Sequence, residues 1–397
     1  MNNQDKLKEL ATRPIGRLLW EYSLPAVVGM VVMSLYNVID RIFIGRGVGA
    51  DAIAGLAITF PVMNLSAAIG VLIGAGAAAR MSIMLGQKDM RGAEKVLGNS
   101  VVLTLLNAGV YLTIFGIFID DILTLFGASP TSLPYARDFM LYILPGMLLT
   151  NITYNLNSIM RASGYPTRAM VTMFIGAGCN VILAPIFIFG LGWGIKGAAI
   201  ATDLSMFIGM LFVLAHFFSS KSVIRFKPKI YSLEWKIVWG VISIGAAPSI
   251  VNLAGSLING IINNSLYSYG GDSAVAAVGI LMTYTSLLCT IVVGICLGLQ
   301  PIIGYNYGAG LSHRLKRAFW LSVAAGSVIT VVGGIIGIAF PHWIASAFTI
   351  DPELIATTNN GIPIAMFFFF PVGFQIVSTT LFQSIGMAGK SIFLSLI

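Results

Sequence analysis

Apolar residues run along this chain in blocks of about 20 or more, separated by short polar or glycine-containing stretches, from Ile15 onward. A helix rising about 1.5 Å per residue needs about 20 such residues to cross about 30 Å of hydrocarbon. The pattern predicts ten complete membrane-spanning helices, over 15–44, 52–80, 93–118, 133–160, 167–190, 195–218, 236–268, 273–305, 315–340 and 354–385. An eleventh begins near Ser391, only seven residues before Ile397, which is too short to span, so the second half reads as truncated.

The pattern repeats. A shift of 222 residues carries Ser34-Leu35-x-Asn37 onto Ser256-Leu257-x-Asn259, Ile58 onto Ile280, Gly76 onto Gly298, Gly86 onto Gly308 and Lys95 onto Arg317. Pro25 falls on Pro248 after a slip of one residue. The predicted fold class is therefore an all-α polytopic membrane protein of two six-helix lobes related by a pseudo-two-fold repeat, the second truncated within helix 11. Residues 1–218 form the first lobe, 219–235 a cytoplasmic linker and 236–397 the second lobe. Six is even, so both copies enter the membrane in the same sense, and parallel repeats of this kind place a substrate path between the halves.

Composition and charge agree. The chain is 57% hydrophobic and 10% charged, against about 25% charged in soluble domains. The net charge of +8 is spread over short loops instead of forming a phosphate-binding patch, so no nucleic-acid partner is expected. Of the 23 Lys and Arg, 19 lie in the N-terminal segment and the even-numbered loops; Arg41, Arg46, Arg137 and Lys196 are the others. This bias predicts a multi-pass protein of the inner (cell) membrane with a cytoplasmic N-terminus. Cys179, Cys289 and Cys296 all fall in apolar segments without metal-ligand spacing and read as free thiols, and neither metal nor cofactor is expected. His216, His313 and His342 lie far apart near span ends. Clustered Asp motifs for Mg²⁺-pyrophosphate and paired His for zinc are lacking, so an enzyme is not expected.

The first helix carries the chemistry. A carboxylate inside hydrocarbon costs about 2.5–3.5 kcal/mol on insertion scales and is functional by default, which singles out Asp40; a structural ion pair with Arg41 is the plainer alternative. Pro25 removes a backbone hydrogen bond and sets a place to bend, a candidate hinge. Tyr36, one turn before Asp40, shares its face. Counted along their spans, Asp40, Asn180, Thr202 and Asp203 all fall in the outer half of the membrane. The predicted spans seven to ten contain no acid: Asp272, Asp351 and Glu353 lie at their outer ends, and the repeat equivalent of Asp40 is Ile262 or Asn263. Met33, Met63 and Met173 are candidates for an adaptable apolar substrate wall, with ordinary packing an equal reading.

The stretches Leu24-Pro25, Tyr36-Asn37-Val38-Ile39-Asp40-Arg41, Arg161-Ala162-Ser163-Gly164, Pro185-Ile186-Phe187-Ile188-Phe189-Gly190 and Gln300-Pro301-Ile302-Ile303-Gly304-Tyr305-Asn306-Tyr307-Gly308 resemble those of multidrug and toxic compound extrusion (MATE) exporters, in their DinF-like and MepA-like branch. The resemblance implies antiport: a cation enters while a drug-like, often cationic lipophilic molecule leaves. It also implies that Asp40, Asn180 and Thr202 match first-lobe cation-binding positions. Related sequences have an Asp four residues after the Asn of the fifth helix; here that position is Ala184, and Asp203 is an extra acid that is a candidate replacement. One certain carboxylate favours a proton over Na⁺ as the coupling ion. The other partners expected are the drug or metabolite and the bilayer, with the chain acting as a monomer. A flippase for lipid-linked oligosaccharide is the nearer alternative; it would favour a cationic central cavity, whereas the embedded charges here are acidic.

Overall fold

The architecture is that of a computed structural model, which describes residues 3–47, 50–130, 132–220 and 222–396. Lys221, and the side chains of Asp5, Lys6, Arg41, Arg46, Asp51, Ser256, Leu257, Asn259, Asn263 and Asp272, lie outside what is described. The described residues are mostly helical, with no strand among them. The main elements are α2 (Ile15–Gly47), α3 (Ala50–Gly86), α4 (Met90–Ile117), α6 (Leu133–Ala162), α7 (Pro166–Pro185), α8 (Gly194–Phe218), α9 (Trp235–Gly308), α10 (Ser312–Ala339), α12 (Pro352–Phe367) and α13 (Val372–Ser384), followed by the short α14 (Ala388–Leu396). Three other short helices, α1 (Asn3–Thr12), α5 (Ile119–Leu125) and α11 (Pro341–Phe348), join them. Among the described residues nine helices are long and apolar enough to cross a membrane, or ten with α12 and α13 counted as one broken span.

The boundaries differ from the periodicity in instructive places. The seventh and eighth predicted helices are joined in α9 across a break at Gly271, whose φ of 61° and ψ of −160° form a backbone state open to glycine. The tenth breaks between α12 and α13 with a bend of 51°; Pro371 lies at this break and has no N–H to continue the ladder. α7 ends in one π-helical turn, Ile186–Gly190. α3 runs six residues past the expected Arg80, because its last turns are buried against α9 and helix packing outweighs a charge at the edge.

Close backbone approach joins the first elements to α9. A methyl group built on Gly86 would overlap the Tyr305 carbonyl, and one on Gly308 would overlap the Ile83 carbonyl. Residues 83 and 86 map onto 305 and 308 by the same 222-residue shift, so the two contacts are reciprocal. Gly76 meets Gly245 of α9 and Gly298 meets Ser23 of α2, again a reciprocal pair. Polar bonds reinforce the seam: Ser23 Oγ donates to Ile295 O at 3.2 Å, and Gln300 Nε2 donates to Ala75 O at 3.1 Å. At its end Arg314 donates to Leu10 O at 3.1 Å and to Arg13 O at 2.6 Å, hooking the chain after α1.

The stretch between α8 and α9 is strapped down. Asn99 of α4 donates to Ile230 O at 3.3 Å and Ser232 O at 3.0 Å and accepts from the Glu234 N–H at 2.8 Å. Lys227 pairs with Glu94 at 2.6 Å, and Lys95 pairs with Glu234.

Candidate functional site

The site forms where α2, α7 and α8 meet. Asn180 of α7 is 1% exposed, and its Nδ2 donates to Thr202 Oγ1 at 3.0 Å. Thr202 donates in turn to Ala198 O at 3.0 Å, one turn back on α8, so its oxygen is left to accept. Tyr36 of α2 is buried, makes a polar contact with the Thr202 side chain, and lies in the electrostatic field of Asp40. Tyr36, Asp40, Asn180 and Thr202 thus form one chain of neighbours across three helices. Tyr36 and Asp40 meet because residues four apart share a helix face. Asn180 lies within α7, on a stretch where Gly176 and Ala177 are also buried.

Ala184, one turn beyond Asn180, has no exposure and belongs to an apolar cluster with Ile44, Ile188, Ala198 and Ala199. Its place is filled by packed methyl groups. Asp203 is turned to a different wall: its carboxylate rests on the backbone of Gly146 in α6, where an added Cβ would overlap it. Asp203 Oδ1 is buried without a hydrogen-bond partner. Adjacent helical residues point about 100° apart, which is why Thr202 faces α7 while Asp203 faces α6. The structure does not bring Asp203 into the chain around Asp40.

The methionines divide. Met173 Sδ lies against Gly29 of α2, 2.5 Å from where a Cβ would stand, so it packs between α7 and α2. Met63 accepts a long contact, 3.9 Å, from the Thr59 hydroxyl and borders the apolar cluster. Met33 is half-buried on α2. Pro25 lines a cavity of about 370 Å³ with Trp20, Glu21, Tyr22 and Pro166, which leaves open space beside the candidate hinge.

Sequence reasoning missed a second polar group inside the first half of the chain: Ser66 on α3, Thr104, Asn107 and Tyr111 on α4, and Asn151 and Asn155 on α6. The signal was present as polar residues three or four apart on otherwise apolar helices, 104, 107 and 111 facing 151 and 155. Among the described residues no group of three or more His, Cys, Asp or Glu is arranged to hold a metal.

The profile described as MatE matches residues 25–186 and 248–397. An FAD transporter of Shewanella oneidensis is 29% identical over 381 residues, covering 94% of this chain and 82% of the relative. The multidrug export protein MepA of Staphylococcus aureus is 24% identical over 373 residues, with the same two coverages, 94% and 82%. A solved multidrug resistance transporter of the MOP superfamily, in an outward-facing conformation, superposes with a TM-score of 0.92 at 25% identity, covering 98% of this chain and 86% of that one.

Proposed function

Since the chain belongs to the MatE family, a family of transporters and not of enzymes, we propose that it is a cation-coupled antiporter. It exports drug-like, cationic lipophilic compounds across the inner membrane with its N-terminus in the cytoplasm, and it works as a monomer. The observation that carries the reading is the convergence of Tyr36, Asn180 and Thr202 beside Asp40, an embedded carboxylate. A carboxylate flanked by neutral oxygens binds and releases a small cation without a fixed counter-charge, and a single acid suits a proton in preference to Na⁺. Ala184 stands where related sequences carry a second acid, and it is fully buried in an apolar cluster.

In this reading residues 1–218 and 236–397 are lobes, and the reciprocal glycine contacts close their cytoplasmic side. Pro25 lets α2 bend as the cation comes and goes, and Met33, Met63 and Met173 border the space the cargo passes. The fit to an outward-facing transporter supports that state.

Asp40→Asn tests the reading. It should abolish resistance and active efflux of a lipophilic cation in a drug-sensitive host, with membrane insertion and expression unchanged; efflux that persists and still collapses with a protonophore overturns it. A second cargo is favoured by one observation, the FAD transporter at 29% identity. FAD and a lipophilic cation offered to the same everted vesicles separate the two, because only the true cargo is taken up in a gradient-dependent way.

A further inference from the structure

The second polar group lies deep among α3, α4 and α6, near the middle of their length, away from the chain around Asp40. Two rungs cross the layer, one joining α6 to α4 and the other joining α6 to α3. Asn155 Nδ2 donates to Thr104 Oγ1 at 3.2 Å, and the Thr104 hydroxyl donates in turn to Ser100 O at 2.8 Å. Asn151 Nδ2 donates to Ser66 Oγ at 3.0 Å, and Tyr111 lies beside both of those side chains. The helices approach closely here: a Cβ on Gly70 of α3 would overlap Asn151 Oδ1, and one on Gly74 would stand 3.3 Å from Asn155 Cα. Asn107 sits on α4 between the rungs.

Three polar atoms in this layer are buried and have no hydrogen-bond partner: Asn155 Oδ1, Asn107 Nδ2 and the Tyr111 hydroxyl. Asn155 is 1% exposed and Tyr111 4%. Turning the Asn155 amide over would only exchange which of its ends is left. An unsatisfied buried polar group costs about 1–3 kcal/mol, and in hydrocarbon no solvent arrives from the side to lower that cost. The three atoms comprise an acceptor, a donor and a hydroxyl that serves as either. That combination discriminates between occupants. A bare cation is repelled by the Asn107 N–H groups, and an anion by the Asn155 carbonyl oxygen. Water presents both donors and acceptors and is held by two to four such partners in protein interiors.

We propose that the α3–α4–α6 layer is an internal water-binding site, in which ordered water bridges Asn107 and Asn155 and reaches the Tyr111 hydroxyl. The site is independent of the cation chain and does not rest on the transport reading.

Hydroxyl-radical footprinting of the full chain in lipid nanodiscs tests it, since radicals generated from bound water label the side chains beside that water. Tyr111 should be modified about tenfold faster than Phe217, after correction for intrinsic reactivity, although both are buried. Asn107→Leu removes the donor and fills its space, and should reduce Tyr111 labelling about fivefold. Its melting temperature should fall modestly, because the leucine displaces the water and leaves Asn155 Oδ1 without a partner. Asn107→Ser keeps a donor and leaves room, and should retain the labelling, which guards against a misfolded leucine variant. Labelling of Tyr111 at the Phe217 rate overturns the proposal, and so does labelling that Asn107→Leu leaves unchanged.

Discussion

Thr202 is the junction of the candidate site: it accepts from Asn180, donates to its own helix and meets Tyr36. Thr202→Val keeps the shape and removes the oxygen, leaving the buried Asn180 amide unsatisfied. The cost of such a loss is about 1–3 kcal/mol, which is roughly fivefold to 150-fold in affinity for the coupling ion where it falls on the ion-bound state. Thr202→Ser should recover most of it; an unchanged concentration dependence for the driving ion in the valine variant would separate Thr202 from coupling. Asp203 calls for the opposite expectation to a replacement acid. Because it rests on Gly146 and not on Asn180, Ala184→Asp should not rescue a loss caused by Asp203→Asn. Rescue in a transport assay would place both in one cavity. The shared depth of Asp40, Asn180 and Thr202 could be counted along their apolar helices, but it was the family resemblance that grouped them as one site. The direction of Asp203 was not legible, since which of two adjacent residues faces which neighbour depends on how α8 is rotated against α6 and α7.

At the scale of elements, the spans themselves were readable, because about 20 apolar residues leave the chain few choices in a bilayer. Their interruptions were less so. Pro25 and Pro371 are both inside apolar blocks, yet α2 continues through the first while the tenth span breaks at the second by 51°. The difference is what holds each place: Val27 and Ser23 of α2 are backed by Gly294 and Gly298 of α9, and Pro25 itself borders a cavity. Pro25→Ala should restore the missing hydrogen bond, worth about 1 kcal/mol, and slow turnover with little change in drug affinity. Equal turnover numbers for the two forms would remove the hinge from the account. The sequence marks the stretch before α9 as a linker, and in the structure Asn99, Glu94 and Lys95 hold it against α4. That is a tertiary arrangement with no local sequence pattern.

For the whole molecule, the 222-residue shift that aligns Gly86 with Gly308 also relates their contacts: Gly86 meets Tyr305 and Gly308 meets Ile83. Gly86→Ala and Gly308→Ala should therefore act alike, each forcing the two backbones apart. In a background without native cysteines, a Ser82→Cys probe beside Gly304 should become more reactive to a cytoplasmic maleimide in both variants and to a similar degree. Protection in both would mean that the seam is not what closes the cytoplasmic side. The central claim, that Asp40 couples a proton to export, is tested most directly in proteoliposomes with a trapped pH dye. Adding a lipophilic cation to the wild-type protein under an imposed pH gradient should dissipate that gradient, a Na⁺ gradient alone should drive no transport, and Asp40→Asn should leave the dye signal flat. Substrate-dependent proton movement through the asparagine variant would contradict the account.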